Sequence, residues 1–353
     1  MDNLYQLAAH KNSHPSQYQN ATKLLFVPDL LGYWLTGQMV CERTFASTSQ
    51  FYNPVTRDWA YDLLEKLNIR TDLFAELVDP GTIHGEVEGM PLVKVGSHDT
   101  ASAFAAAPVK DLSATAVLSS GTWSLLGAEL DQPIISDDAC KANFTNEVGV
   151  CDTIRFLKNL SGLWVIQELR RVWAEKGIHY SWNEMDSLAE KAPPFSCFID
   201  PSHPDFTPPG DMEQRVIEQC RRIGQAYPEN HGQVIRSLLE GLAFLYAKTL
   251  NTMEGLTGKS FKQLCVVGGG AKNKTLNTFT ANAIGRRVIT GPKEATAVGN
   301  LIIQMKSLSH IKSLGQGREI IFHSFAQEVE SYLPKDKANW ADAYQKWYEV
   351  TKQ

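Results

Sequence analysis

The sequence has no long hydrophobic run and only scattered cysteines. No apolar stretch approaches the roughly 20 residues that a membrane-spanning helix needs, and the N-terminus is polar, without an apolar secretory core. The six cysteines never occur as Cys-x-x-Cys. A disulfide scaffold and a structural zinc site are therefore not expected, and the pattern predicts a protein of the reducing cytoplasm.

A strong charge of one sign and clustered histidines are also missing. The formal net charge of −5 gives no reason to expect nucleic acid or an anionic membrane as a partner. The nine histidines show no metal-ligand spacing, so no residue is assigned to a metal. With 353 residues, 43% of them apolar and 21% charged, the chain has the composition of a globular protein and the length for two domains. Nothing in the sequence indicates the oligomeric state.

Strands and helices alternate in the second part of the chain, which is typical of α/β architecture. A charged linker at 110–113 marks the predicted boundary between a domain at 1–107 and one at 108–353. Before it we predict a helix at 21–37 that is interrupted near Pro28, helices at 58–67 and 100–107, and a strand at 92–95. After it we predict strands at 114–119, 122–128, 153–158, 263–267 and 287–290, and helices at 161–176, 211–226, 231–254, 275–284, 294–305 and 340–351.

One stretch places a lone carboxylate near a turn of small polar residues. Asp99 follows the strand at 92–95, and Thr122 lies in a Ser-Ser-Gly-Thr turn after the strand at 114–119. Hydroxyls and free backbone N–H groups in such a turn suit phosphate oxygens, and a carboxylate nearby suits a base for a hydroxyl nucleophile. The pattern therefore indicates a phosphotransferase; the alternative is an Asp that caps a helix, beside an ordinary hairpin turn.

A second candidate site is the turn Gly268–Gly270 between a buried strand and a helix. Two nucleotide-binding motifs fail there, because Asn273 stands where G-x-G-x-x-G and the Walker pattern each need a glycine. A Walker-like ending at 255–260 also fails, because its first glycine falls on Met253. Either the three glycines let a flat ring lie against bare backbone, or they serve packing alone.

The segment 158–167 holds two further polar candidates. Asn159 is expected at the N-terminus of the helix at 161–176, where it is either a helix cap or a contact for a sugar hydroxyl or phosphate. Gln167 lies one or two turns further on, beside apolar positions. The alternative interpretation of Gln167 is an ordinary surface residue without a functional role.

Together these elements resemble the FGGY carbohydrate kinases, and among them the kinases of L-rhamnulose. The resemblance covers nearly the whole chain, with the motifs in the family's order. The combination of HDTASA, SSGTWS and GLWxxQ is much more specific than any one of these motifs. The matching segments are PDL…LTG at 28–37, SHDTASA at 97–103, LSSGTWSL at 118–125, NFTNE at 143–147, LKNLSGLWVIQ at 157–167, VVGGGAKN at 266–273 and GPKEATAVGN at 291–300.

The resemblance implies an actin-like (ribonuclease H-like) two-domain α/β sugar kinase that uses ATP and Mg²⁺, with its substrate in the cleft between the domains. It implies that Asp99 is the catalytic base. The family's sugar contacts match His98, Thr100 and Asn159, and its ATP contacts match Thr122, Gln167 and Gly269. The implied reaction is phosphorylation of the primary hydroxyl of a ketose, L-rhamnulose ahead of L-fuculose or D-xylulose.

Two departures from the family pattern are visible. Family members open with a β-hairpin that carries an Asp-x-Gly-Ser/Thr motif for the ATP phosphates and Mg²⁺, and no such motif precedes Asp99. We therefore expect the domain at 1–107 to be incomplete, with the N-terminal part of the family pattern missing. The alternative function is then a non-catalytic sugar- or nucleotide-binding protein. Some L-rhamnulose kinases also pair cysteines across the segment from Cys220 to Ser237, and the serine excludes that disulfide here.

Overall fold

The computed structural model of the chain describes residues 3–352, which form two compact units. Unit 1 comprises the residues up to Lys110, then Glu129–Leu157 and Ala295–Ser324. Unit 2 comprises Asp111–Ala128, Lys158–Glu294 and the residues from Phe325 onward. Two later segments of the chain pack with the N-terminal residues in unit 1, and the division into domains at 1–107 and 108–353 stays a prediction.

Helices and strands are distributed over the whole described range. Up to residue 110 they are α1 (Asn3–Ser13), α2 (Pro15–Asn20), α3 (Val27–Thr36), β1 (Val40–Glu42), α4 (Arg43–Ala46), β2 (Tyr52–Asn53), β3 (Asp58–Trp59), α5 (Tyr61–Lys66), β4 (Glu76–Val78), β5 (Ile83–Val87), β6 (Met90–Val93) and α6 (Asp99–Ala105). Beyond residue 110 they are β7 (Thr115–Ser120), β8 (Trp123–Leu130), α7 (Asp137–Lys141), β9 (Thr145–Val148), β10 (Ile154–Ser161), α8 (Trp164–Glu175), α9 (Trp182–Lys191), α10 (Met212–Arg222), α11 (His231–Thr257), β11 (Gln263–Val267), α12 (Lys274–Ile284), β12 (Arg287–Thr290), α13 (Ala295–Ser307), α14 (Leu314–Ser324), β13 (Ser331–Tyr332) and α15 (Lys337–Val350).

An aromatic core holds the first part of unit 1 together. Phe51, Trp59 and Phe74 are buried, and the ring of Phe74 lies 5.0 Å from that of Phe51 and 4.9 Å from that of Trp59. The core supports the parallel pair of β1 and β4. The core thereby fixes the end of β1, where Glu42 lies. The Glu42 carboxylate accepts a hydrogen bond at 3.0 Å from the backbone N of Ser97, which lies in the loop before α6.

Helices α6 and α13 of unit 1 pack with their backbones in close contact. The side chains from Thr100 to Ala105 in α6 are small apart from Phe104, and all are buried. Opposite them, a Cβ added to Gly299 of α13 would lie 1.8 Å from the carbonyl oxygen of Ser102. Only glycine therefore permits this packing, which seats α13 against the helix that begins with Asp99.

Unit 2 is built on a sheet with the strand order β13-β12-β11-β7-β8. The strands β7, β11 and β12 are parallel, with Cys265 between Val117 and Ile289, whereas β8 and β13 run antiparallel to their neighbours. The parallel strands are buried apart from one residue each, as expected for strands covered on both faces. Helix α11 is buried along most of its length.

The predicted alternation of strands and helices is confirmed, with most boundaries shifted by one to three residues. Pro28 does not interrupt a helix but lies in the first turn of α3, where its missing N–H is harmless. The predicted helix at 58–67 is shorter, because Asp58 and Trp59 pair with β2. Helices α4, α7, α9 and α14 were not predicted. Among residues 3–352 no helix is long and apolar enough to span a membrane.

Candidate functional site

Asp99 occupies the first turn of α6, and its side chain is 76% exposed. Its Oδ1 accepts hydrogen bonds from Thr100 N at 2.6 Å and from Thr100 Oγ1 at 3.1 Å. The N-cap position belongs to His98, whose side chain makes no capping hydrogen bond. Asp99 is therefore not the N-cap of this helix, and its second carboxylate oxygen is left to other partners.

Buried polar groups of β1 and α4 anchor the loop before Asp99. The Glu42 carboxylate accepts from Ser97 N, and His98 N donates to Thr44 Oγ1 at 3.2 Å. Thr44 Oγ1 itself donates to Glu42 Oε2 at 2.5 Å. Burial raises the pKa of Glu42 although these donors oppose it. The backbone on which His98 and Asp99 sit is thus held by fixed hydrogen bonds.

A groove of about 320 Å³ in unit 1 reaches Asp99. Its wall combines apolar side chains of α3 and β6 with Thr296 and Asn300 of α13. Thr296 Oγ1 donates to the backbone oxygen of Asp99 at 3.3 Å. Sequence reasoning assigned no role to Thr296 or Asn300, although both lie in the GPKEATAVGN segment that carried the family resemblance.

The Thr122 turn of unit 2 packs on the beginning of α8. Leu163 N donates to Gly121 O at 3.0 Å and Trp164 N to Thr122 O at 3.1 Å. A Cβ at Gly162 would lie 2.6 Å from Thr122 O, so this crossing of two backbones requires glycine. The exposed Thr122 Oγ1 donates to Gln167 Oε1 at 3.2 Å. Two of the predicted ATP contacts are therefore neighbours.

A cavity of about 410 Å³ in unit 2 joins this turn to the glycine turn. A Cβ at Gly269 would meet no atom within 4 Å, whereas one at Gly270 would lie 2.0 Å from Ser120 Oγ. Gly270 therefore serves packing, and Gly269 leaves open space. The cavity is lined by Gly121, Leu163, Ile166, Gln167, Trp182, Asn183, Asp186, Gly269, Gly270, Lys272 and Asn273. Burial, and then the charge of Glu190, raise the pKa of Asp186 to about 6.

The structure gathers the predicted residues into two groups. His98, Asp99 and Thr100 lie together in unit 1, where the Thr100 side chain is buried and its hydroxyl points to Asp99. Thr122, Gln167 and Gly269 lie together in unit 2. Asn159 is exposed, but it lies in β10 and not at a helix N-terminus, so the capping alternative for Asn159 is wrong. The N-cap of α8 is Leu163.

Each group suits one half of a phosphoryl transfer. An exposed carboxylate in the first turn of a helix, after an anchored loop, can accept a proton from a hydroxyl. A cavity that is lined by both apolar and polar side chains and a bare glycine, next to a hydroxyl, can hold a nucleotide. Among residues 3–352 no group of three or more His, Cys, Asp or Glu side chains is arranged to hold a metal ion.

Two family models match this chain over most of its length. The N-terminal domain of the FGGY family of carbohydrate kinases matches residues 2–107, and the C-terminal domain matches residues 116–308. The chain belongs to the FGGY family of carbohydrate kinases. The prediction that the N-terminal part of the family is missing is therefore wrong in that form, because a matching N-terminal domain is present.

Curated relatives and solved structures agree with this assignment. The chain is 40% identical to a protein named rhamnulokinase from Bacteroides thetaiotaomicron, over 97% of this chain and 71% of the relative. It is 41% identical to another of that name from Enterococcus faecalis, over 90% of this chain and 66% of the relative. Structures of a ligand-bound xylulose kinase from Lactobacillus acidophilus and a glycerol kinase from Plasmodium falciparum with ADP give TM-scores of 0.78 and 0.77 at 16% and 15% identity. Each match covers 99% of this chain, and it covers 72% of the xylulose kinase and 71% of the glycerol kinase. This likeness confirms the predicted two-domain α/β sugar-kinase fold.

Proposed function

We propose that this chain transfers the γ-phosphoryl group of MgATP to the primary hydroxyl of a ketose, and that the ketose is L-rhamnulose. The observation that carries the proposal is Asp99, an exposed carboxylate in the first turn of α6, directly after a loop that buried hydrogen bonds hold in place. The choice of ketose is supported by the relatives at about 40% identity, which carry the name rhamnulokinase.

In the proposed reaction Asp99 accepts the proton of the sugar hydroxyl as its oxygen attacks phosphorus. A base placed in this way contributes about 10²- to 10⁴-fold in rate. Thr100 donates to the carboxylate through its backbone N–H and its hydroxyl and so holds Oδ1 in place. We propose His98 and Asn159 as contacts of the sugar hydroxyls, since these positions match the family's sugar contacts.

The nucleotide half of the reaction is proposed for the cavity of unit 2. The hydroxyl of Thr122 and the amide of Gln167 would contact phosphate oxygens, and the open backbone at Gly269 would lie under the adenine or ribose. Charge in a phosphoryl transfer develops on the oxygens of the transferred group, where Mg²⁺ and fixed donors stabilise it.

A coupled assay of ADP release tests the proposal. The chain should turn over ATP with L-rhamnulose faster than with L-fuculose or D-xylulose, and only slowly without sugar. Asp99→Asn keeps the shape of the side chain but removes the proton acceptor, so turnover should fall by about 10²-fold or more. Asp137, the exposed first residue of α7, offers a matched control, because Asp137→Asn makes the same change at a helix start elsewhere.

The assay also separates this proposal from its alternatives. Faster turnover with another ketose would keep the kinase and change its substrate. Nucleotide and sugar binding by calorimetry with no turnover would favour the non-catalytic binding protein. Wild-type turnover in Asp99→Asn would remove this residue from the mechanism. The cytoplasmic location stays a prediction from the cysteine pattern.

A further inference from the structure

A buried ion pair lies behind His98, the residue next to the proposed base. Glu147 of β9 and Arg155 of β10 face each other in antiparallel register, and Arg155 Nη2 lies 3.1 Å from Glu147 Oε2. The Arg155 side chain is fully buried and that of Glu147 nearly so. Burial alone would raise the pKa of Glu147, but the charge of Arg155 and a hydrogen bond with His98 outweigh burial and hold that pKa below its usual range. Glu147 is therefore ionised at neutral pH.

Both members of the pair contact the same ring nitrogen of His98. Nδ1 lies 3.2 Å from Arg155 Nη2 and 3.4 Å from Glu147 Oε2. A guanidinium can only donate a hydrogen bond, and an ionised carboxylate can only accept one. Arg155 therefore serves Nδ1 when the ring carries its hydrogen on Nε2 alone, and Glu147 serves Nδ1 whenever that nitrogen carries a hydrogen. The ring keeps a partner on its inner nitrogen in both states.

The outer nitrogen of the same ring faces the proposed base. His98 Nε2 lies 3.7 Å from Asp99 Oδ1. The His98 ring also packs edge-on against Phe45, with the ring centroids 6.3 Å apart. The backbone N–H of His98 donates to Thr44 Oγ1. Since the inner nitrogen is held from the interior, Nε2 is directed to the side where Asp99 stands.

We propose that Glu147 and Arg155 are positioning residues, which fix the ring plane and the proton position of His98 so that Nε2–H faces Asp99 and the sugar. The inference rests on the proposed kinase function and extends it to two residues to which the sequence motifs gave no role. A buried ion pair is rarely more stable than apolar residues of the same volume. A pair whose third neighbour is a candidate site histidine is therefore better explained by positioning than by stability.

Steady-state kinetics test the inference with matched variants. Glu147→Gln keeps the side chain's shape and removes its charge, so kcat should fall about 10- to 100-fold, as expected for a misplaced reacting group, while KM for ATP stays unchanged. Glu147→Asp restores the charge and should recover part of the loss. The control is Glu129→Gln, which removes the carboxylate of a similarly buried pair with Arg318 at 2.8 Å in the same unit. It should keep wild-type kcat.

Nitrogen NMR of ¹⁵N-histidine-labelled protein gives a readout that needs no activity. The His98 ring signals are identified by their loss in His98→Gln. The neutral wild-type ring should carry its hydrogen on Nε2, Glu147→Gln should shift the tautomer populations, and Glu129→Gln should not. A wild-type ring with its hydrogen on Nδ1 would overturn the inference even if Glu147→Gln did not fold, and so would wild-type kcat in Glu147→Gln. A wild-type chain without sugar-dependent turnover would instead contradict the proposed function, and the ring signals would still decide the positioning role.

Discussion

The contact between α6 and α13 makes Gly299→Ala the sharpest perturbation of the frame that carries Asp99. The added Cβ would lie 1.8 Å from Ser102 O and 2.6 Å from the carbonyl carbon of Ser102. Real Cβ contacts essentially never fall below 3.0 Å, so the two helices must separate by at least 3.0 − 1.8 = 1.2 Å. The atoms that the Cβ meets are backbone atoms of Ser102, and the position of a Cβ is fixed by its own backbone, so no side-chain rotation can relieve the clash.

The expected loss of stability follows from two opposing terms. Overpacking a well-packed interior typically costs 1–3 kcal/mol, and a backbone clash belongs at the upper end, about 3 kcal/mol. Replacing a helical glycine by alanine recovers about 0.5–1 kcal/mol. The net free energy of unfolding should therefore fall by about 2 kcal/mol. Gly255 in α11 provides the matched control, because its added Cβ would meet no atom within 4 Å. Gly255→Ala should raise stability by about 0.5–1 kcal/mol.

Urea unfolding followed by circular dichroism measures both variants under the same conditions. The midpoints should move in opposite directions, downward for Gly299→Ala and upward for Gly255→Ala. The catalytic effect should be separate: Gly299→Ala shifts the start of α6, so kcat should fall at temperatures where the variant is still folded. A Gly299→Ala protein as stable as wild type would show that the two helices are not in backbone contact, and the reasoning about this frame would fail.

Three further predictions concern unit 2. Gly269→Val fills open space in the cavity, so calorimetry should show weaker ADP binding by a chain with an unchanged melting temperature; unchanged affinity would count against the nucleotide assignment. Burial raises the pKa of Glu240 from 4.5 to about 7, despite its pairing with Arg236, so its stabilising contribution should be lost as pH rises from 4.5 through 7. The wild-type free energy of unfolding relative to Glu240→Gln should therefore decrease by about 3 kcal/mol over that range, as urea titrations at several pH values can test. If ionised Asp186 accepts from the adenine amine, ADP affinity should rise as pH increases through about 6, and Asp186→Asn should lack this rise.

Local patterns in the sequence predicted the elements better than their ends. The strand at 263–267 was predicted with its observed bounds, because a buried apolar run followed by three glycines is an unambiguous signal. The helix after Asn159 was predicted too early. The strand β10, which holds Asn159, is followed by Gly162, whose backbone crosses the Thr122 turn. The helix can begin only after this crossing, where Leu163 N and Trp164 N donate to the carbonyl oxygens of that turn. This constraint comes from a segment about 40 residues away, and no local periodicity contains it.

The surroundings of the proposed base were beyond sequence reasoning for the same physical reason. Asp99 and His98 could be selected from one short segment, but the groups that hold them come from β1, β9 and β10. Glu147 was quoted within a family motif without a role, because only the register of a hairpin places it opposite Arg155. A carboxylate in a strand is ordinarily a solvated residue. It becomes a candidate for positioning once its partner is a buried guanidinium and both reach the same imidazole nitrogen. Motifs therefore select the candidate contact residues, whereas the residues proposed to orient them emerge only from the pairing of two strands.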